Sequence, residues 1–106
     1  MSEWIEVCGL QDLVEGAGVA ALVKDTQIAL FLLAGKVYAL NNYDPVGKAN
    51  VMSRGMIGDL KGQPMVASPL QKLHYNLETG ACMDKEGVVL QNYPVQLKNN
   101  RVFIEV

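Results

Sequence analysis

Residues 19–40 read VAALVKDTQIALFLLAGKVYAL, three apolar runs separated by two short polar breaks. The runs Val19–Val23, Gln27–Leu33 and Lys36–Leu40 are rich in the aliphatic and aromatic residues that favour extended strands. The breaks at residues 24–26 and 34–35 read Lys-Asp-Thr and Ala-Gly, which are typical of tight hairpin turns. This stretch therefore predicts three consecutive antiparallel strands and an all-β fold.

Turn signals recur at short intervals on both sides of this stretch, as in small β proteins. Leu10–Leu13 is predicted to form one helical turn, whereas residues 41–62 have little periodicity and are predicted to be a long loop, of the kind that is usually functional. The 106 residues are expected to form one domain, residues 1–106. Further strands are predicted at Trp4–Cys8, Gln63–Ala67, Leu73–Leu77, Tyr93–Leu97 and Val102–Val106.

Composition argues against several classes of function. The net charge is −2 and the nine Lys and Arg residues are scattered, so no nucleic-acid partner is expected. The longest apolar run, Ile28–Ala34, is far shorter than the roughly 20 residues that a membrane helix needs, so no membrane partner is expected either. Glu3 and Glu6 lie where a signal peptide would be basic and then apolar. We therefore expect a cytoplasmic location.

The residues that commonly carry chemistry are sparse. Cys8 and Cys82 have no Cys or His neighbour at ligand spacing, and in a reducing compartment we expect two free, mostly buried thiols, with a disulfide left open. His74 is the only histidine, and its place between Leu73 and Tyr75 in an alternating strand predicts a solvent-facing side chain. General base catalysis also needs an orienting partner and a pocket, so no catalytic residue is predicted.

Two segments resemble the cluster-binding loops of Rieske ferredoxins. They are Asn42-Tyr43-Asp44-Pro45-Val46-Gly47 and Ser68-Pro69-Leu70-Gln71, the second followed by Tyr75-Asn76-Leu77-Glu78-Thr79-Gly80. The resemblance implies a Rieske-like fold, a small barrel or sandwich that carries a two-loop subdomain. A Rieske cluster takes two Cys on one iron and two His on the other. In this chain the Cys positions hold Asp44 and Ser68 and the His positions hold Val46 and Gln71, so the resemblance implies a cluster-free member without a metal site.

Several strings are similar to one branch of that superfamily, the small subunits of bacterial NAD(P)H-dependent nitrite reductase. They are Ser2-x-Trp4, Asp44-Pro45, Ser53-Arg54-Gly55-Met56-Ile57, Val66-Ala67-Ser68-Pro69-Leu70 and Gly80-x-Cys82-Met83. This resemblance implies a non-catalytic accessory subunit of a cytoplasmic oxidoreductase complex of nitrate assimilation. The partner would be a large subunit with FAD, an iron–sulfur cluster and sirohaem, which reduces nitrite to ammonium. This chain would hold no cofactor of its own.

Two other functions remain open at this point. One is an electron carrier with an unorthodox cluster, which the four replaced ligands disfavour. The other is a free-standing Rieske-like module that binds another protein or a small molecule. Asp44 and Ser68 are poor candidates for a metal, because hard cations want several oxygen ligands. We expect both to hydrogen-bond neighbouring backbone amides, with Val46 packed in apolar space.

A partner interface is expected at the tip of the two loops, where Pro45 and Pro69 fix the backbone. Arg54 has two interpretations: its apolar-rich loop folds back onto the core, or Arg54 anchors a partner's carboxylate beside adaptable methionines. The predicted interface residues are Tyr43, Asp44, Pro45, Val46, Arg54, Pro69, Leu70, Gln71 and Lys72.

Overall fold

The computed structural model describes residues 3–106 and confirms the all-β fold. Ser2 of the Ser2-x-Trp4 string lies outside the described residues. Two 3-10 turns, Leu10–Asp12 and Met52–Arg54, are the helical segments of this part of the chain, and no helix in it could cross a membrane. The strands are β1 (Trp4–Gly9), β2 (Ala17–Val23), β3 (Thr26–Leu33), β4 (Lys36–Asn41), β5 (Tyr43–Asp44), β6 (Ala49–Asn50), β7 (Met56–Leu60), β8 (Gln63–Ala67), β9 (His74–Asn76), β10 (Asn92–Tyr93), β11 (Val95–Lys98) and β12 (Arg101–Glu105).

The predicted meander of β2, β3 and β4 is present, and β10 extends it to a four-stranded sheet of order β10-β4-β3-β2. Its turns have positive φ at both central residues, 48° and 67° at Lys24 and Asp25, and 53° and 76° at Ala34 and Gly35. Two positive φ values are the signature of the turn type that matches the twist of a hairpin. A second sheet has the order β1-β12-β11.

Strand β3 is buried on both faces and separates two cores. Its alternate side chains point to opposite sides of the sheet. Ile28 and Leu30 pack in the first core, with Ile104 of β12, whereas Ala29 and Phe31 belong to the second. The continuous apolar run of β3 is therefore explained by burial of both faces of the strand.

The second core lies in a smaller part of the molecule, formed by the pairs β5-β6 and the sheet β7-β8-β9. Its buried residues include Met52, Val66 and Tyr75, which are all fully buried. The prediction of a long loop over residues 41–62 is wrong, because β5, β6, a 3-10 turn and β7 lie there. Strand β7 was missed because it contains Gly58 and Asp59, residue types that are depleted in strands.

The predicted strand Tyr93–Leu97 is also wrong, since it breaks at Pro94. Proline has no amide hydrogen and cannot continue a ladder. Strand β10 pairs with β4 and β11 pairs with β12, so the chain passes from one sheet to the other at this proline. The Asn99-Asn100 hairpin turn is confirmed, with φ of 52° and 62°. Strand β9 is shorter than predicted, with three residues.

Candidate functional site

The two Rieske-like loops contain turns of the same geometry. The amide of Lys48 donates to the carbonyl of Asp44 at 2.7 Å, and the amide of Lys72 donates to the carbonyl of Ser68 at 2.8 Å. The two lysines have φ of 59° and 57°. We call Asp44–Lys48 the first turn and Ser68–Lys72 the second turn. Each has proline at its second position, which fixes φ there.

A buried hydrogen bond joins the two turns. The hydroxyl of Ser68 donates to Oδ2 of Asp44, across 24 residues of sequence, and both side chains are buried. Oδ1 of Asp44 accepts from the amides of Val46, at 2.9 Å, and Gly47, at 3.0 Å. Asp44 therefore bonds to backbone amides as predicted. The same prediction for Ser68 is wrong, because its hydroxyl donates to the other turn rather than to its own backbone.

The residues at the four ligand positions do not fit a [2Fe-2S] cluster. Asp44 and Ser68 touch each other, as the two thiolates on one iron would, which supports their alignment with the Cys positions. Val46 is half-buried and Gln71 is exposed at the tip. This donor set holds a carboxyl, a hydroxyl and an amide but no thiolate or imidazole, and between residues 3 and 106 no three His, Cys, Asp or Glu converge.

The two cysteines do not supply the missing ligands. Both thiols are free and half-buried. Cys8 packs against the first core and Cys82 against the second. Burial, followed by the charge of Asp12, raises the pKa of the Cys8 thiol. Both therefore behave mainly as small hydrophobic side chains.

Tyr75 lies in the second core, in the same part of the molecule as the joined turns, and sequence reasoning gave it no role. Its side chain is fully buried, and its hydroxyl makes no hydrogen bond to any residue from 3 to 106. Burial raises the pKa of Tyr75 to about 12, and the charges of Asp44 and Cys82 act in the same direction. A phenol that resists ionisation is therefore enclosed in this core.

The tip of the two turns presents apolar side chains to solvent. Tyr43 is 43% exposed and Leu70 is 51% exposed, and Pro45 and Pro69 are exposed beside them. Asp44 does not belong to this surface, which corrects its place in the predicted interface. Its carboxyl group is fully buried and supports the tip from below. The remaining predicted tip residues, Gln71 and Lys72, are exposed, and Val46 is half-buried.

The segment around Arg54 folds back onto the core only in part. Met52 is fully buried in the second core, so this part of the segment does fold back. Arg54 and Met56 are exposed, Met56 by 79%. They line a groove of about 370 Å³ beside the second turn, together with Pro69, Lys72 and His74. We call it the basic groove.

His74 has a partner that the sequence did not reveal. Its Nδ1 lies 2.8 Å from Oδ2 of Asp84, and its amide donates to the same oxygen at 2.6 Å. The amide bond, then the ring bond, lowers the pKa of the Asp84 carboxyl. The side chain is 33% exposed and lines the basic groove, so it is only partly solvent-facing. A histidine ten residues before an aspartate, across a turn-rich segment, was the available signal.

The exposed side chains of the tip and of the basic groove are suited to contact with another molecule. The Ser68 hydroxyl, the natural nucleophile near His74, is buried and hydrogen-bonded to Asp44. The exposed residues are apolar at the tip and cationic along the basic groove. Apolar and arginine side chains at a surface are typical of protein interfaces.

Comparisons with known proteins agree with this geometry. The family model for the Rieske-like [2Fe-2S] domain matches residues 3–105. The nitrite reductase (NADH) small subunit of Escherichia coli strain K12 is 36% identical over 104 residues, which are 96% of each chain. The E. coli NirD structure has a TM-score of 0.90 at 35% identity and covers 100% of this chain and 98% of its own. A nitrite reductase NAD(P)H large subunit of Klebsiella oxytoca is 39% identical over 95% of this chain, which spans only 11% of that protein.

Proposed function

The chain belongs to the Rieske-like family of nitrite reductase (NADH) small subunits, and from that premise we propose that it is the non-catalytic accessory subunit of an NAD(P)H-dependent nitrite reductase. In this role it binds the large subunit and supports reduction of nitrite to ammonium. Its own residues contribute binding and orientation. The reaction takes place on the large subunit.

The Klebsiella relative is the observation that carries this proposal. Its large subunit contains, in one polypeptide, a segment 39% identical to 95% of this chain. In E. coli the corresponding protein is a separate small subunit of nearly the same length as this chain. A domain that is fused to a reductase in one organism and separate in another is expected to act beside that reductase in both. The partner that we propose is therefore the large subunit.

We further propose that every redox group of the complex is held by the large subunit. The donor set at Asp44, Val46, Ser68 and Gln71 supports this, because it lacks the thiolates and imidazoles that a Rieske cluster requires. FAD, an iron–sulfur cluster and sirohaem would then carry electrons from NADH or NADPH to nitrite within the partner, in the cytoplasm. The purified chain is expected to be colourless and to contain no stoichiometric iron.

The tip of the two turns is the contact surface that we propose. Tyr43 and Leu70 are large apolar side chains left exposed at its centre. Pro45 and Pro69 hold the backbone beneath them and limit the entropy lost on binding. The buried bond from Ser68 to Asp44 keeps the two halves of the surface together.

The test is a mixture of this chain with the cofactor-loaded large subunit from the same organism, followed by size exclusion with light scattering and an assay of NADH-dependent nitrite loss. A complex of defined mass with raised activity is expected. Leu70→Asp should weaken it at least tenfold. The matched control, Leu22→Asp, changes a leucine that is 72% exposed on β2 and should bind like the wild type. Separate elution of the two wild-type proteins, with unchanged activity, would overturn the proposal.

A further inference from the structure

The basic groove adjoins the tip and is lined by residues from separate segments of the chain. Arg54 ends the 3-10 turn before β7, Met56 begins β7, and Pro69 and Lys72 come from the second turn. The volume of about 370 Å³ is enough for one or two side chains of another protein. The groove therefore offers a concave binding site next to the apolar tip.

The groove carries positive charges that no carboxylate within residues 3–106 pairs with. The ion pairs that Lys and Arg residues form within residues 3–106 use three other cations, Lys24, Lys36 and Arg101. Arg54 and Lys72 are thus two exposed cations without a carboxylate partner in this part of the chain. Asp84, which pairs with His74, is already held by that side chain and its backbone amide. A cationic groove on a chain of net charge −2 favours an acidic ligand.

The remaining walls are apolar and adaptable. Met56 is 79% exposed, and Pro69, which also lines the groove, is exposed. Methionine fits irregular apolar partners because its chain is unbranched and polarisable. Arginine binds a carboxylate through two parallel hydrogen bonds, which orients the partner as well as attracting it. The lining of the groove is therefore complementary to a partner segment in which a carboxylate lies next to an apolar side chain.

We propose that the basic groove binds an acidic segment of the nitrite reductase large subunit, with a carboxylate on Arg54 and Lys72 and a neighbouring apolar side chain on Met56 and Pro69. This inference rests on the proposed function, and it adds the chemistry of the partner segment and a second contact area beside the tip. The electrostatic part of the contact also speeds association and weakens with salt.

The test compares charge reversals in the intact complex. The double variant Arg54→Glu with Lys72→Glu is titrated against the cofactor-loaded large subunit at low and at physiological salt. We expect its affinity to fall at least tenfold, with a smaller salt dependence than the wild type. Arg54→Gln with Lys72→Gln should give an intermediate loss. All of these side chains are exposed, and unchanged circular dichroism and melting would show that folding is intact.

Lys61→Glu is the matched control. Lys61 is exposed, forms no ion pair with residues 3–106 and has φ of 53°, close to the 57° of Lys72. It lies at the far end of β7, about 16 Å along the strand from Met56. Its reversal changes the net charge in the same direction as each groove variant, and we expect less than a twofold change in affinity.

The outcomes separate this inference from the proposed function. If the wild type binds the large subunit and both groove variants bind equally well, the groove is overturned and the accessory role stands. The proposed role of the groove is also overturned if Lys61→Glu weakens binding as much, per unit of charge changed, as the groove variants do. The loss of affinity would then come from the net charge of the chain and not from the groove. If the chain alone dimerises and the groove variants are monomers, the occupant is a second copy. If the wild type does not bind the large subunit, both proposals fail.

Discussion

Asp44 places a carboxyl group in the interior, where it is costly unless hydrogen bonds replace its water shell. Three donors do so, the amides of Val46 and Gly47 and the hydroxyl of Ser68. The first two organise one turn and the third ties that turn to the other. In a Rieske protein metal ligation from both loops would serve this purpose. Here one hydrogen bond between two ligand positions does so.

Removing the Ser68 hydroxyl is predicted to loosen both turns. Ser68→Ala leaves the buried Oδ2 of Asp44 without its donor, and such a loss costs about 1–3 kcal/mol of the free energy of unfolding. Amide exchange should accelerate at Gly47 and Lys72 and stay unchanged in the β11–β12 hairpin. Denaturant unfolding and hydrogen exchange measure the two effects.

Ser53→Ala is the control for that change. The Ser53 amide donates to Oδ1 of Asn42 at 2.7 Å, a bond that alanine retains, and its hydroxyl makes no hydrogen bond to the part of the chain described. Its free energy of unfolding should change by less than about 0.5 kcal/mol. Equal effects of the two substitutions would show that the bond to Asp44 does not hold the turns.

Tyr75 predicts how stability depends on alkaline pH. Burial raises its pKa from 10.0 to about 12 in the folded protein. Between these values the unfolded chain loses a proton that the folded chain keeps, so stability is fully present below about pH 10 and falls as pH rises towards 12. One such group contributes a slope of up to about 1.4 kcal/mol per pH unit.

Urea unfolding at several pH values measures this decline. Burial also raises the pKa of Tyr93, so part of the decline belongs to that residue. Tyr75→Phe should remove the Tyr75 part and leave the rest. Tyr43→Phe, at a side chain 43% exposed, should keep the wild-type decline. If Tyr75→Phe falls as steeply as the wild type between pH 10 and 12, the burial of this phenol does not govern the alkaline loss.

At the level of elements, local turn chemistry made much of the fold predictable. The β2–β3–β4 meander follows from two short breaks that the backbone crosses at positive φ, and the final hairpin follows from Asn99-Asn100. Strand β7 was not predictable in this way, because Gly58 and Asp59 are weak strand formers and its register comes from pairing with β8. Tertiary pairing overrode local propensity there.

The site was predictable only in part for the same physical reason. The positions of the two turns follow from the Asp44-Pro45 and Ser68-Pro69 dipeptides and from the family pattern around them. Which atoms meet depends on the packing of elements far apart in sequence. The bond from Ser68 to Asp44 is a contact of this kind, and no local pattern encodes it. The pair of His74 with Asp84 had only a ten-residue spacing as its signal.

Gly47 is predicted to be the point at which the two turns pack together. A Cβ added there would lie 2.8 Å from Oδ2 of Asp44 and 2.9 Å from Cδ1 of Leu70. Gly47→Ala therefore forces Leu70 and the Asp44 carboxyl apart, and overpacking of this kind costs about 1–3 kcal/mol. We expect a lower unfolding midpoint in urea and weaker binding to the large subunit.

Gly58→Ala provides the comparison for Gly47→Ala. A Cβ at Gly58 would meet only Cε of Met65, at 3.6 Å, and its φ is not in the positive region. Alanine there should be neutral, or stabilising by up to about 1 kcal/mol, because it restricts the unfolded chain. If both substitutions destabilise the protein equally, the effect is one of glycine replacement in general and not of contact between the turns.

In the whole molecule, strand β3 connects the first core to the smaller part that carries the two turns. The two faces of β3 contribute to both cores, so the smaller part is anchored along the centre of the four-stranded sheet. The Cys-position residues Asp44 and Ser68 meet in its interior, and the His-position residues Val46 and Gln71 lie nearer the surface. The frame for a cluster is thus retained although its ligands are replaced.

Restoring the four ligands is therefore predicted to restore cluster binding. The two turns share their hydrogen bonding, 2.7 Å and 2.8 Å between first carbonyl and last amide, and their first side chains touch. Thiolates in place of these side chains would face one another as ligands of one iron, with imidazoles at the outer positions. The variant Asp44→Cys, Val46→His, Ser68→Cys, Gln71→His is incubated anaerobically with ferric iron and sulfide. It should bind one cluster per chain, seen as colour and as a Rieske-type electron paramagnetic resonance signal after one-electron reduction with dithionite.

Two matched proteins decide how that result is interpreted. The wild type treated in the same way should remain colourless, since its donor set lacks thiolate and imidazole at these positions. The partial variant Asp44→Cys with Ser68→Cys should give no Rieske-type signal, because it provides ligands for one iron only. If the fourfold variant keeps the β-sheet circular dichroism of the wild type and still holds no iron, the turns are not spaced as in a Rieske site. Retention of the cluster would instead show that the two turns, which in this variant lack the hydrogen bond from Ser68 to Asp44, still hold the four positions at the separation that the metal requires.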